Sequence, residues 1–357
     1  MRNYKIFNLQ EGESFVSRVK STFLEIQKQL ADKTITKLDI HIHSTNAETF
    51  KDECDILSAA IKESFKNKIP ATTFISNHPA DNNDVLISCQ FYTHSSEKIN
   101  FKKILDHHYV TIEHKNGIEL ISGGIHFNEN SILLNIQRAF DFAEQLLMAE
   151  DMNFGHIVRQ WDYITAINEN SEYDGSSKNN LEIFNEIKSF FLEESLFKNG
   201  YPSVSDNGIY QGGIVIDFMA FNNYEHFTSV NIKSDYYLPF SDQAKYLYTD
   251  KDEVWISGSC LNYDTSKDIE KQILKALEET FKLIENKNLV ASNINIPEPY
   301  NFKDGFKLIK AYVRHESYNK EVKDIIHSVL PNTECIIINT EFYSKDKLIE
   351  IESFTSI

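Results

Sequence analysis

Hydrophobic residues recur along the chain with helical spacing in some segments and strand-like spacing in others. From Phe15 to Leu30 they fall at three- and four-residue steps and form one apolar stripe, which predicts an amphipathic helix with Ser14 as its N-cap. The next segment alternates apolar and polar residues, which is typical of a strand. The elements predicted for this first unit are a helix over 15–30, a strand over 37–43, a helix over 50–65 and strands over 71–76 and 84–92.

The same order of elements returns twice. The second copy is predicted as a helix over 131–147, a strand over 157–164, a helix over 180–196 and a strand over 213–221, and the third as a helix over 268–284, a strand over 307–314, a helix over 319–329 and strands over 334–340 and 347–354. We therefore predict an α+β chain of three units, with boundaries at 1–100, 101–230 and 231–357. Each unit is expected to be a mixed sheet covered by helices on one side.

An Ile-Ser-Gly segment precedes each of the two later copies, at 121–123 and at 256–258. Glycine at such a place admits close backbone approach or a positive φ, which packing or ligand contact near a strand end requires. A simple turn at the end of a strand would account for one of these glycines, but the recurrence favours a shared structural role. Ser257 and Gly258 are thereby candidate site residues.

The last predicted strand places two carboxylates on one face. Its period-two alternation turns Glu350 and Glu352 to one side, with Ile349 and Ile351 on the other. A carboxyl group that is half-buried among apolar neighbours has a raised pKa and can act as a general acid. The alternative is that both glutamates lie on a solvated sheet face.

Composition and charge narrow the class of protein. With 41% hydrophobic and 25% charged residues among 357, the chain is typical of a soluble globular protein, and no apolar run predicts a membrane span or a signal peptide. We expect a cytoplasmic location and no membrane association. The net charge of −17 argues against binding to nucleic acid, although a local arginine can still bind a small anion. The four cysteines show no CxxC spacing, so we expect reduced thiols and no metal.

The third unit carries a family resemblance. Its Ile256–Gly258 segment, its Tyr312–Arg314 strand end and its final strand Leu348–Glu352 occur in the order seen in the Rid (YjgF) family of small homotrimeric proteins, which have a chorismate-mutase-like fold. The middle unit matches at Ile157–Arg159, and the first unit matches in layout. Three such units in one chain resemble chorismatases, which contain Rid-like domains and remove pyruvate from chorismate. The resemblance implies an internal pseudo-trimer, a monomeric chain, a small anionic substrate and no cofactor.

The resemblance also distinguishes the three final strands. Aligned by eye, Ser88 and Val215 stand opposite Glu350, and Gln90 and Asp217 stand opposite Glu352. On this alignment the third unit alone has a carboxylate where the family places its conserved glutamate. The resemblance implies that Glu350 is the catalytic acid, which protonates the enolpyruvyl methylene.

Other site residues are implied by position in the family pattern. Arg314 matches the arginine of the family's Tyr-Val-Arg motif and could bind a substrate carboxylate through two hydrogen bonds, with a salt bridge to Glu316 as the alternative. Tyr236 lies on the tyrosine-containing strand that precedes the third unit's Ile-Ser-Gly segment. The remaining predicted substrate-binding residues are Ser257, Gly258, Tyr343, Glu352 and Lys245.

The chain departs from the family pattern at its cationic positions. Chorismatases have a Tyr-Gly-Pro-Arg run where this chain reads Phe240–Lys245, so that Lys245 is the available point charge. Tyr343 and Ser344 stand where the family has a small residue or cysteine followed by arginine. Cys335 occupies the place of the arginine that binds carboxylates in ordinary Rid proteins.

These features lead to one predicted function and two alternatives. We predict a chorismatase-like hydrolase or lyase of secondary metabolism and aromatic acid biosynthesis, which releases pyruvate from chorismate or a related enolpyruvyl or cyclohexadiene carboxylate. Its other product would be of the hydroxybenzoate or dihydrodiol type. The first alternative is a catalytically inert Rid-like protein that binds a small carboxylate or a partner protein. The second, which Cys335 disfavours, is a Rid-type enamine or imine deaminase.

Overall fold

A computed structural model of the chain describes residues 1–80, 83–93, 98–129, 131–173, 176–233, 238–249, 251–258, 264–296 and 302–357. The elements of the first unit are β1 (Arg2–Asn8), α1 (Phe15–Gln29), β2 (Lys33–Ile42), α2 (Ala47–Phe65), β3 (Ala71–Ser76), β4 (His78–Pro79) and β5 (Val85–Thr93). Helix α1 begins as predicted, because the hydroxyl of Ser14 accepts a hydrogen bond from the backbone N–H of Ser17.

The second and third units repeat this order with additional strands at their starts, a two-stranded hairpin inside the second unit and two short helices inside the third. The elements of the second unit are β6 (Lys98–Ile104), β7 (His107–His114), β8 (Gly117–Ile121), β9 (Ile125–Phe127), α3 (Ile132–Met148), β10 (Ile157–Thr165), β11 (Asn170–Tyr173), β12 (Ser176–Asn179), α4 (Asn180–Phe191), β13 (Ser203–Ile209) and β14 (Ile214–Phe221). Those of the third unit are β15 (Phe227–Val230), β16 (Ala244–Tyr248), β17 (Asp252–Ile256), α5 (Ile269–Ile284), α6 (Asn286–Ala291), α7 (Phe302–Gly305), β18 (Phe306–Val313), α8 (Asn319–Val329), β19 (Glu334–Asn339) and β20 (Ile349–Ser356).

Each unit has its own mixed sheet. The strand orders are β1-β5-β2-β3 in the first unit, β13-β10-β14-β8-β7-β6 in the second, with β9 also paired to β14, and β15-β16-β17-β20-β18-β19-β4 in the third. Strand β4 comes from the first unit and therefore joins it to the sheet of the third. The predicted α+β fold is confirmed. None of the helices within the described ranges is long and apolar enough to cross a membrane.

Four large apolar clusters and one small one, Val204 with Leu238, form the core of the described residues. Three of the large clusters lie mainly between the sheet and the helices of one unit, and the fourth contains residues of all three units, among them Tyr4, Trp161 and Phe354. A core shared by three sheets requires each sheet to be apolar on both faces, and the strands β5, β14 and β20 are indeed buried along almost their whole lengths. The three units are therefore packed as an internal pseudo-trimer.

A bulge gives the three sheets a common register. The central strands β2, β10 and β18 each pair antiparallel with the last strand of their unit, and a register shift follows Ile35, Ile157 and Phe306. Counting four residues from each of these points makes Asp39, Trp161 and Lys310 equivalent. These three residues meet: the Lys310 ammonium lies 2.7 Å from a carboxylate oxygen of Asp39 and 5.3 Å from the centre of the Trp161 ring. They therefore mark the pseudo-threefold axis.

This register corrects one alignment made from the sequence. In the strands paired to the equivalent central residues, Leu86 and Val215 correspond to Glu350, while Ser88 and Asp217 correspond to Glu352. The alignment by eye was right for the second unit and wrong by two residues for the first. A slip of two residues leaves every side chain on the same face, so the hydrophobic pattern of a fully buried strand cannot detect it. The third unit still has the single carboxylate at the first position.

Candidate active site between the second and third units

Both faces of strand β20 are buried, so the alternative that its glutamates lie on a solvated sheet face does not hold. Ile349 and Ile351 pack in the core of the third unit beneath helix α5, while the opposite face points toward the other units. Glu350 and Glu352 are 2% and 4% exposed. Two carboxylates are thus held out of water, where each requires a cation or several hydrogen-bond donors.

Glu352 joins the second and third units. One of its carboxylate oxygens lies 2.9 Å from the guanidinium of Arg159 and accepts a hydrogen bond of 2.8 Å from the indole N–H of Trp161. Arg159 also donates to the carbonyl of Ser203 and to the hydroxyl of Ser205, and these contacts with strand β13 fix the orientation of its guanidinium. The predicted role of Glu352 in substrate binding remains a prediction, and its observed contacts are those of a tie between units.

Glu350 is paired with a buried lysine. The ammonium of Lys347 donates to Glu350 Oε2 at 2.6 Å, and the lysine lies three residues earlier, where the loop enters β20. In the β-sheet register Glu350 stands opposite Tyr312 of β18, and both residues are buried. The predicted catalytic glutamate therefore has a cationic partner, which the sequence analysis did not identify.

Gly258 lies against the side chain of Glu350. A Cβ atom at position 258 would come within 2.3 Å of Glu350 Cγ and 2.9 Å of the carbonyl oxygen of Ile351. The neighbouring Ser257 donates its hydroxyl hydrogen to the carbonyl of Val204 on β13, which ties this segment to the second unit. The Ile-Ser-Gly segment thus lets the backbone approach the glutamate more closely than any other residue type would allow.

Replacing Gly258 with alanine is expected to destabilise the protein by about 1–3 kcal/mol, because a new methyl group must displace Glu350 or the β20 backbone in a packed interior. Urea unfolding measures the change. Alanine at the exposed Gly12, where the nearest atom to a new Cβ belongs to the flexible side chain of Ser17, is the matched control and should change stability by less than about 0.5 kcal/mol. Equal effects of the two substitutions would contradict the close packing inferred at Gly258.

Strand β13 brings a further acid, Asp206, into the electrostatic environment of Glu350. Burial raises the pKa of Asp206 to about 7; Lys188 opposes this shift, and the carboxylates of Asp162 and Glu350 add to it. Lys188 itself is fully buried and lies 2.8 Å from Asp162. No local pattern indicates Asp206, because its importance depends on residues of distant strands and a helix.

The pKa of Asp206 predicts a pH-dependent loss of stability. A carboxyl group whose pKa rises from about 4 in the unfolded chain to about 7 in the folded one binds more protons when folded, so stability falls as the pH rises through that range. Such a shift corresponds to at most about 4 kcal/mol. The Asp206→Asn variant is expected to unfold at a higher temperature than the parent protein at pH 8, and at nearly the same temperature at pH 4.

Asp52 offers the matched control for this experiment, because it is an exposed acid on helix α2. The unfolding temperature of the Asp52→Asn variant should differ from that of the parent protein by the same amount at pH 4 and at pH 8. Differential scanning calorimetry at pH 4, 6 and 8 measures all three proteins. If the effect of Asp206→Asn were independent of pH, Asp206 would not be the group that titrates.

Asn207 offers an unsatisfied amide on the same strand. The residue is buried, and within the part of the chain that the structure describes neither its side-chain oxygen nor its nitrogen has a hydrogen-bond partner. It lies two positions beyond Ser205 and therefore on the same face of β13, the face that carries the contacts to Arg159. Buried amides without partners are rare because they are costly, and a bound polar ligand would remove that cost.

Arg314 holds the loop that leads to Glu350. Its Nε donates to the carbonyl of Lys347 at 2.9 Å, and Nη2 donates to the carbonyls of Phe342 and Ser344. These contacts order the loop that carries Lys347. The predicted binding of a substrate carboxylate by Arg314 remains a prediction, and the observed geometry makes the arginine a positioning residue for the Lys347–Glu350 pair. Tyr343 lies on this loop and is 48% exposed.

Lys245 lies apart from Glu350, on strand β16. Its buried ammonium donates to the carbonyls of Asn199, Gly200 and Tyr201 and to the hydroxyl of Ser229. Burial lowers the pKa of Lys245 to about 7. The contacts described for Lys245 fix a loop of the second unit, so this placement gives no support to the prediction that it replaces the family's arginine.

Tyr236 and Cys335 are two further residues that the family pattern singles out. Tyr236 lies outside the described residues. Cys335, at the position of the carboxylate-binding arginine of ordinary Rid proteins, has a thiol whose pKa is raised by burial to about 12, so it supplies no charge at neutral pH. Glu350, Lys347, Ser257, Gly258 and the β13 strand are the parts that the structure brings together.

The fold is shared with a known enzyme class. A crystal structure of a chorismatase aligns with 99% of this chain and 98% of its own, at 14% identity and a TM-score of 0.64. A YjgF-family protein from Mycobacterium tuberculosis aligns with 37% of this chain and 99% of its own, at 16% identity and a TM-score of 0.27. A Rid-family protein from Yersinia pestis gives the same coverage and identity with a TM-score of 0.28. Neither a protein-family model nor a curated protein matches the sequence.

Proposed function

We propose that the chain is a chorismatase-like enzyme that releases pyruvate from chorismate or a related enolpyruvyl or cyclohexadiene carboxylate, with Glu350 as the proton donor. The observation that carries the proposal is the buried pair of Glu350 and Lys347, 2.6 Å apart, at the one of three equivalent positions that has a carboxylate. The chorismatase fold over the whole length of the chain supports it.

The proposed reaction begins with proton transfer from Glu350. The proton of its carboxyl group moves to the terminal methylene carbon of the enolpyruvyl group, a C–H bond forms, and the neighbouring carbon becomes an oxocarbenium ion. Water adds to that carbon and returns one proton to the glutamate. The bond from that carbon to the ether oxygen then breaks while the proton of the added hydroxyl moves to that oxygen, which gives pyruvate and a ring hydroxyl. A correctly placed general acid contributes about 10²–10⁴-fold to such a step.

Lys347 provides a way for the glutamate to gain its proton before each turnover. In the structure its ammonium is hydrogen-bonded to Glu350, an arrangement that stabilises the ionised carboxylate. A substrate carboxylate that binds Lys347 would compete for this ammonium and place negative charge beside Glu350. Both effects favour the protonated form of Glu350, which is the form that donates. Substrate binding and activation of the acid would thus be the same event.

A second candidate is a catalytically inert protein that binds a small carboxylate at the same place. It is favoured by the depth of Glu350, which is 2% exposed, and by the engagement of the Arg314 guanidinium with backbone carbonyls. In that case the unsatisfied amide of Asn207 and the Lys347 ammonium would hold the ligand, and the glutamate would serve only to balance the charge of the lysine.

A pyruvate assay separates the two candidates. The purified protein is incubated with chorismate, and pyruvate is measured by coupling to lactate dehydrogenase, with the Glu350→Gln variant as the control. We expect release well above that control. Thermal-shift measurements with chorismate are made in parallel, because stabilisation without release would favour the binding protein. Pyruvate release equal to that of the Glu350→Gln control would contradict the proposed enzyme.

A further inference from the structure

A cavity lies between the first and second units. Its volume is about 650 Å³, which falls within the range of about 300–1,000 Å³ that is usual for small-molecule sites. It opens where helix α2 faces the strands β9 and β14. The residues that give it its character are Phe50, Cys54, Phe74, His126, Gly212 and Val215.

This cavity occupies the place in the pseudo-trimer that corresponds to the Glu350 site. The common register makes Val215 the counterpart of Glu350, and the pairing of β3 and β13 with their central strands makes Phe74 the counterpart of Asp206. The charged positions of one interface are therefore apolar at the other. The cleft between the first and second units thus has apolar side chains at these two positions, where the cleft between the second and third units has carboxylates.

The walls of the cavity combine aromatic rings with a few polar groups, among them the side chains of His126 and Asn128. Gly212 has φ +101°, and a Cβ there would lie 3.0 Å from the ring of Phe50 and 3.5 Å from Nε2 of His126, so glycine leaves room between them. His126 lies in the middle of strand β9 and is exposed. A neutral imidazole can donate one hydrogen bond and accept another, so His126 can bind a polar group of a ligand.

The charges at the mouth of the cavity disfavour an anion. Three exposed charged residues of α2 line the mouth, and two of them, Glu48 and Asp55, are acidic, while Lys51 is basic. The cavity therefore has a net negative rim around an aromatic interior. An anionic ligand would meet repulsion there, whereas an uncharged ring would gain apolar contact with Phe50 and Phe74.

We propose that this cavity is a second small-molecule site, which binds an uncharged ligand with aromatic or other apolar rings and one polar group within reach of His126. The ligand class differs from the anionic substrate proposed for the Glu350 site, and the inference stands independently of the reaction there. Its physical basis is the cavity between Phe50 and Phe74, which has the imidazole of His126 and the amide of Asn128 on its wall.

A pair of matched fluorescent probes tests the proposed class. N-Phenyl-1-naphthylamine is uncharged, and 1-anilinonaphthalene-8-sulfonate has the same ring system with an added sulfonate. We expect the uncharged probe to bind in a 1:1 ratio, with a dissociation constant at least about 10-fold lower than that of the sulfonate. Equal or tighter binding of the sulfonate would overturn the proposed preference for uncharged ligands.

Substitutions locate the bound probe. Ala47 is an exposed residue at the start of α2 that lines the cavity, and tryptophan there should fill the mouth and weaken probe binding at least about 10-fold. Ala149, exposed at the end of α3 and outside the cavity lining, gives the matched Ala149→Trp control, which should bind the probe as the parent does. His126→Ala should weaken binding several-fold without filling the cavity. Unchanged affinity in both the Ala47 and the His126 variants would overturn the proposal.

Discussion

Replacing Glu350 with glutamine is expected to lower the rate of pyruvate release by about 10²–10⁴-fold while leaving the protein folded. Glutamine has nearly the same shape as glutamate, and its side-chain carbonyl can still accept the hydrogen bond from Lys347. It cannot give a proton to the substrate. The expected change is therefore in kcat, measured by the coupled pyruvate assay, with a smaller change in KM.

The same substitution leaves the buried Lys347 without a countercharge, which by itself can destabilise the site. The double variant Glu350→Gln with Lys347→Met removes that charge as well and serves as the control. We expect it to recover the melting temperature of the parent protein but not its activity. Its rate is compared with that of Lys347→Met, which differs from it only at position 350, and equal rates in these two variants would mean that the glutamate is not the acid.

Lys347→Met alone addresses the proposed route by which Glu350 gains its proton. Without the ammonium, the substrate carboxylate loses its partner and the glutamate loses its countercharge. The first loss should raise KM, and the second should leave a buried carboxyl group that favours its protonated form. A rise in KM larger than the fall in kcat is therefore expected for this variant.

The alternating strand and the family pattern both point to Glu350, and its role as the acid remains a prediction. Lys347 lies only three residues from Glu350, but the two side chains meet because of the path that the preceding loop takes. The guanidinium of Arg314 holds that loop through hydrogen bonds to three of its backbone carbonyls. The spacing of hydrophobic and polar residues does not predict the path of that loop. Asp206 is a stronger case, since its raised pKa arises from burial and from the carboxylates of Asp162 and Glu350, against the opposing effect of Lys188, and all three residues lie on other elements.

The order of elements was predictable for a different reason. Helical and strand-like spacing are local properties, so the three repeated units were visible in the chain before their arrangement was known. The register of the strands in the first unit could not be predicted in this way. Strand β5 is buried on both faces, so a shift of two residues leaves its hydrophobic pattern unchanged. The charges on the pseudo-axis were also missed, since Lys37, Asp39 and Lys310 look like ordinary polar positions of alternating strands.

Replacing Lys310 with methionine is expected to destabilise the protein by about 3–5 kcal/mol, which is the typical cost of breaking a buried ion pair. Lys310 lies 2.7 Å from Asp39, and Lys37 lies between Asp39 and Asp217, so two cations and two acids balance one another on the axis. These residues come from all three units. The loss of one cation leaves a net negative charge in the shared core and should weaken the association of all three sheets.

The pH dependence of the same network follows from Asp39. Burial alone would raise the pKa of this carboxyl group, but Lys310 and Lys37 outweigh burial and hold it well below its usual value. A lowered pKa means that the stabilisation is fully present above about pH 4, the value for an unfolded aspartate, and is lost as the pH falls further. The free energy of unfolding in urea should therefore fall less between pH 7 and pH 3 for Lys310→Met than for the parent protein.

The double variant Lys310→Met with Asp39→Asn decides whether the cost arises from charge imbalance or from lost packing. It removes one charge of each sign and leaves Lys37 facing Asp217 at 2.5 Å, so the network stays neutral. If charge imbalance is the cause, the double variant should be more stable than Lys310→Met by about 2 kcal/mol or more, since uncharged groups of similar size can replace a buried pair at little cost. If the two substitutions instead reduced stability additively, the side chains would contribute mainly by filling space, and the pseudo-axis would be held together by its apolar residues alone.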